Sequence, residues 1–115
     1  MINAAPDLRV QPPRSGSETL GRYAWLARLA DKARAQAAGT DGEYVAYCPM
    51  SMGFLQRAGV SRHEFESLIE RGASDEELIK YFDEHVSNEQ RERANRFILE
   101  ENRSSIEEQD RDEGR

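Results

Sequence analysis

The sequence predicts a mainly α-helical domain, a small bundle of four to five short helices with at most a two-stranded β patch, on three observations. Serine stands three residues before Glu or Gln at Ser15/Glu18, Ser61/Glu64, Ser74/Glu77 and Ser87/Gln90. In that spacing each side chain bonds the other residue's backbone N–H at a helix start. Apolar residues after these starts recur at the three-to-four spacing of one helix face. Gly39, Gly59 and Gly72 then close the periodic runs, where helices place a left-handed residue.

Taken in order, Pro6, Pro12 and Pro13 forbid a helix through the opening segment, so residues 1–16 read as an extended arm. A long first helix over 17–38 follows from the Ser15 box, with Tyr23, Leu26, Leu29, Ala30, Ala33 and Ala37 on one face. Its alanines allow a second helix to approach closely. Residues 39–42 form a turn cluster, and the β-rich run 43–48 is the one strand-like segment before Pro49. A lone strand needs a partner, so the β patch is placed at about 8–10 against 44–47. A short helix over 51–58 ends at Gly59. The next three helices start at the remaining capping boxes. The first buries Phe65, Leu68 and Ile69; the second Leu78, Tyr81, Phe82 and His85; the third Ala94, Phe97 and Ile98. The folded domain is therefore 17–101. Beyond Glu101 only Ile106 is apolar, and residues 102–115 read as an acidic, disordered tail dispensable for folding.

With 115 residues, 37% hydrophobic and 33% charged, the chain has the length of one domain and a small core. The single cysteine cannot form an internal disulfide, and no basic stretch followed by an apolar one opens the sequence, so a reducing, cytoplasmic location is expected. No apolar run approaches the roughly 20 residues of a membrane span. The net charge is −6: the first sixty residues carry seven basic and five acidic side chains, the rest nine and seventeen. That balance argues against nucleic acid as a partner, as does the lack of aromatics beside Arg22, Arg28, Lys32 and Arg34.

A thiolate nucleophile needs a base, and His63 and His85 are the candidates for Cys48, though no special spacing links them. Between Tyr47 and Pro49 in an apolar run, Cys48 reads as a small buried hydrophobe. Cys48, His63, His85 and Asp83 are zinc-type donors without Cys-x-x-Cys or His-x-x-x-His pairing, so neither metal nor cofactor is predicted. His85 falls on its helix's apolar face and His63 in an exposed first turn. Arg14 and Ser15, beside the expected first-helix start, have the parts of an anion nest, but a plain Ser15 cap is the simpler reading. Arg28, Asp31 and Arg34 stand at spacings of three, ordinarily an exposed ladder of ion pairs. Arg28 is expected in solvent, whereas Arg34 borders the apolar sector, which predicts partial burial against Asp31 or Glu43. A cluster of Arg14, Asp31, Arg34, Glu43 and Tyr44 would either fix loops or hold an anionic or polar ligand. Ser15, Cys48 and Trp25 complete the candidate ligand-binding set, Trp25 as a pocket wall if not simply part of the core.

The ordered string Asp7-Leu8-Arg9, Pro12-Pro-Arg-Ser15, Leu20-Gly-x-Tyr23-x-Trp25-Leu-x-Arg28-Leu, Asp31-Lys-Ala-Arg34, Gly42-Glu-Tyr44 and Cys48-Pro49 resembles the bacterial domain of unknown function 5069 family. Gly72-Ala-Ser-Asp-Glu-Glu77 and Asn95 fit the same pattern. Two departures stand out: Gly16 where members often have Pro, and Ser51 where an Asp is common. The resemblance implies a small intracellular bacterial domain and carries no mechanism. Together these features predict a non-catalytic binding or adaptor domain that meets a protein or itself. The alternative is a small-molecule-binding protein or small enzyme using the Arg14/Asp31/Arg34/Glu43/Tyr44 cluster.

Overall fold

A computed structural model describes residues 5–115; the first four residues of the expected arm lie outside it. The elements run β1 (Thr19–Leu20), β2 (Tyr23–Ala24), α1 (Leu26–Ala38), α2 (Pro49–Ala58), α3 (Arg62–Glu70), α4 (Asp75–His85), α5 (Asn88–Arg96), a π-helical turn (Phe97–Glu101) and α6 (Arg103–Asp112). Among the described residues the fold is mainly helical, with six helices and one two-stranded antiparallel sheet, against the four to five helices predicted. No helix among the described residues is long and apolar enough to cross a membrane.

The starts of α3, α4 and α5 are three of the four predicted capping boxes, each with both reciprocal bonds formed. Their reading was local because the chemistry is local: four consecutive residues satisfy two otherwise orphaned N–H groups. Pro49, at the first position of α2, starts that helix two residues earlier than expected, where a missing N–H costs nothing. Val86, just past α4, takes the inward position expected of His85, which is exposed and stacks on Tyr81 with ring centres 4.0 Å apart.

The Ser15 box forms no helix. Residues 19–24 instead make a hairpin that pairs Thr19 with Ala24 and Leu20 with Tyr23. Asn95 on α5 holds it from outside, accepting from Ala24 N–H at 3.0 Å and donating to the Arg22 carbonyl at 2.9 Å. The hairpin delivers Tyr23, Ala24 and Trp25 to the core, all fully buried, and α1 begins only at Leu26. Trp25 pays for this with a left-handed backbone (φ 72°), a conformation costing a non-glycine residue about 1–2 kcal/mol. Its N–H bonds to the Gly16 carbonyl at 2.9 Å, which offsets the strain.

The β patch at 8–10 and 44–47 does not form either. Asp7 captures the donors that a ladder would use: its carboxylate accepts from Arg9 N–H, and its carbonyl accepts from those of Val10 and Gln11. The arm turns there and docks on the end of α1, through Leu8 N–H to the Thr40 carbonyl and the Thr40 hydroxyl to the Pro6 carbonyl.

Residues 103–112, expected to be disordered, form α6. Ile106 is buried against Trp25 and Gly16, so closely that a Cβ on Gly16 would lie 2.6 Å from the indole and 2.7 Å from the Ile106 methyl. Asp110 accepts from the Ser15 hydroxyl, and Arg115 donates to the Pro13 carbonyl. Asp110 and Arg115 thus bond residues 95 and 102 positions away. At the centre Tyr23, Phe54 and Phe65 surround Phe82, with ring centres 5.3–6.2 Å from it, while α2 packs on α5 and α1 on α3.

Candidate functional site

The eight predicted site residues divide among three adjoining groups, the first two joined by Arg28 Nη1 donating to the Arg14 carbonyl at 3.2 Å. In the first, Arg14 on the arm grips Asp31 of α1 through its backbone N–H (2.9 Å), Nε (3.0 Å) and Nη2 (3.0 Å), and reaches Asp75 through Nη1 (3.1 Å). Arg34, one turn along α1, donates to Asp75 at 2.8 Å and to the Ala73 carbonyl at 2.9 Å. Arm, α1 and the start of α4 are thus cross-linked by four charges. Burial alone would raise the Asp75 pKa, but Arg14 and Arg34 outweigh it and hold the carboxyl below its usual range. Asp75 also occupies the first position of α4, where the helix dipole favours an acid. Arg34 is part-buried as predicted, but its counter-charge is Asp75, not Asp31 or Glu43. Glu43 is exposed and outside the group. Sequence reasoning read the Asp75 stretch only as a helix start, and nothing in the local pattern pairs it with a residue 41 positions earlier.

The second group corrects the reading of Arg28 as exposed. Its side chain is 3% exposed and bidentate to Glu113, with Nη1 at 2.9 Å and Nη2 at 2.6 Å from the two carboxylate oxygens. The guanidinium lies 5.6 and 5.7 Å from the ring centres of Trp25 and Tyr44. The Tyr44 hydroxyl also donates to Glu113 at 3.1 Å. Burial and the neighbouring Glu113 raise the Tyr44 pKa. Burial acts upward on Glu113 too, but bonds from Arg28, Tyr44 and Arg115 prevail and lower it.

In the third group the Trp25 indole donates to the Ser51 hydroxyl at 3.0 Å. Ser51 is fully buried, and its oxygen lies 3.5 Å from Cys48 Sγ. Lys32 Nζ approaches the same sulfur at 3.6 Å and sits 5.2 Å from the Trp25 ring centre. Cys48 is therefore not part of an apolar strand. It is the N-cap residue of α2, half-buried beside a cation, while His63 and His85 are both exposed. Ser15, the eighth candidate, bonds Asp110 and Ser17 and caps no helix.

A helical domain whose arm and C-terminal segment are fastened to its first helix by part-buried and buried charge pairs is the class these contacts define. The family model of a domain of unknown function (DUF5069) matches residues 10–115, nearly the whole chain, and the protein belongs to that family. No curated protein matches it.

Proposed function

We propose that this domain is a non-catalytic binding or adaptor module, with the Arg14/Asp31/Arg34/Asp75 network acting as a structural lock. The observation that carries this reading is that the four side chains spend their bonds on one another and on the Arg14 and Ala73 backbone. An arginine already engaged by two carboxylates has little left to offer an anionic ligand. A partner surface is available on the two loops that meet where Arg9 packs over Gly42. These loops hold Val10 and Val45 in solvent, 79% and 60% exposed.

The small-molecule reading is separated by a thermal-shift screen of nucleotides, sugars and phosphorylated metabolites on the wild type and Arg14→Ala, since a ligand of the folded state must raise its stability. The structural lock predicts that Arg14→Ala lowers the melting temperature. A metabolite that stabilises the wild type but not Arg14→Ala, with the variant itself as stable as the parent or more so, would instead establish a ligand site.

A further inference from the structure

We propose that the groove between the end of α2 and the start of α5 binds the phosphate group of a small phosphate monoester, held by Arg57, Arg93 and the Gln90 amide. The site shares no residue with the structural lock or with the Val10/Val45 loops and depends on neither.

The groove has a volume of about 340 Å³ and is lined by Gln56 and Arg57 of α2 and Gln90 and Arg93 of α5, two guanidiniums and two amides with no carboxylate among them. In a chain of net charge −6 that is a local reversal of sign. Arg14, Arg28 and Arg34 are all paired with carboxylates. Among the described residues neither Arg57 nor Arg93 makes a salt bridge.

Two of the donors are held in place by the fold itself. The half-buried Arg57 guanidinium lies over the Phe97 ring, 3.9 Å from its centre, and Nη1 donates to the Gly53 carbonyl at 3.0 Å. Stacking and one bond fix it while its other N–H groups stay open. Gln90 is fixed by its capping box: only the amide oxygen can meet the Ser87 N–H, at 2.9 Å, so Nε2 is the free end. That nitrogen sits tight against the end of α2, 2.5 Å from where a Cβ on Gly59 would stand. Arg93, one turn along α5 from Gln90, adds a second guanidinium in solvent. The helix ends at the groove oppose each other, the first turn of α5 favouring an anion and the last turn of α2 disfavouring one. The carbonyls of Leu55 and Gln56 are already met by the N–H groups of Gly59 and Val60, so the two arginines decide the sign.

A phosphate monoester matches this lining in charge and in acceptors. Near neutral pH it carries about −1.5 to −2 against two guanidiniums, and its three terminal oxygens can take the donors of two forks and an amide. A carboxylate offers a single charge and two oxygens. The volume lies at the small end of ligand pockets, roughly 300–1,000 Å³, which suits a small metabolite rather than a length of chain.

The test uses the full chain, uniformly nitrogen-labelled, and follows the Gln90 side-chain amide and the arginine Nε–H signals as glycerol phosphate is added at constant ionic strength. Saturable shifts at Gln90 and Arg57 are expected. Arg93→Ala, at an exposed position, should weaken binding about tenfold, as the loss of a charged hydrogen bond does. Arg57→Lys, which keeps the charge over Phe97 and loses the fork, should weaken it as well. Arg111→Ala, exposed on α6, should bind as the wild type does. Shifts that never saturate, full affinity in either groove variant, or an equal loss in Arg111→Ala would overturn the site. Acetate binding as tightly as glycerol phosphate would overturn the phosphate assignment. A phosphoserine peptide binding more tightly than glycerol phosphate would overturn the small-molecule assignment.

Discussion

Deleting residues 103–115 is the perturbation on which composition and structure disagree most. By composition the segment is a charged tail with one apolar residue, and its loss should cost less than about 0.5 kcal/mol. In the structure it carries Ile106, 4% exposed, and Glu113, 8% exposed and bidentate to a 3% exposed Arg28. Burying an isoleucine side chain is worth roughly 1.5–3 kcal/mol. Removing one partner of a buried ion pair costs roughly 3–5 kcal/mol, because the other charge is left without compensation. The two losses do not add, since the deletion also opens Arg28 to water, so about 3–5 kcal/mol is expected for the whole segment. That is a large share of the roughly 5–15 kcal/mol that holds a typical domain together. Urea unfolding of residues 1–102 beside the full chain, followed by far-UV circular dichroism, measures it. A loss below about 0.5 kcal/mol would refute the docking of α6 and restore the disordered tail. Full-length Glu113→Gln, which keeps an acceptor for Arg28 and loses the charge, should lie between the two at about 1–3 kcal/mol.

Gly16→Ala should destabilise the domain by about 1–3 kcal/mol in the same urea assay, because the new methyl meets the Trp25 ring and Ile106. An unchanged midpoint would show that α6 does not pack where described. Glu113 and Asp75 both have lowered folded-state pKa values, from ordinary values of 4.5 and 3.8. Their stabilisation is therefore complete above those values and lost as pH falls through the lower folded ones. Unfolding free energy should hold steady down to about pH 5, then drop with acid, and Glu113→Gln should flatten part of the drop. A profile level to about pH 3 would contradict the pairing of both acids.

Legibility from sequence followed the range of the determining interactions. The starts of α3, α4 and α5 and the left-handed glycines after α1 and α2 depend on residues within five positions, and all were readable. The Ser15 box had the same spacing and no helix. What decides that segment is Asn95, more than seventy residues away, holding the hairpin at Arg22 and Ala24. The 43–48 run had strand-forming residues, but its intended partner had already spent its donors on Asp7. Within the candidate site, Arg14 bonds Asp31 and both Arg14 and Arg34 bond Asp75; Asp31 and Arg34 share a helix, and Arg14 precedes it. Asp75 and Glu113, which supply the counter-charges, were hidden among other acids in segments that a local reading assigns to a cap and a tail. The inversion of Arg28 and Arg34 has the same origin: the 3% exposed Arg28 pairs with Glu113 of the docked tail, while Arg34 is 11% exposed.

The central claim, that the arm/α1/α4 charges form a structural lock, is tested most directly by a double-mutant cycle between Arg34 and Asp75, using Arg34→Ala, Asp75→Ala and the double variant in urea, with Glu43→Ala as the exposed control. Their 2.8 Å bond, with Arg34 only 11% exposed, predicts a coupling energy of about 1–3 kcal/mol, and under about 0.5 kcal/mol lost in the control. A coupling near zero, with Arg34→Ala as stable as the parent, would contradict the lock and return these residues to the ligand-site reading.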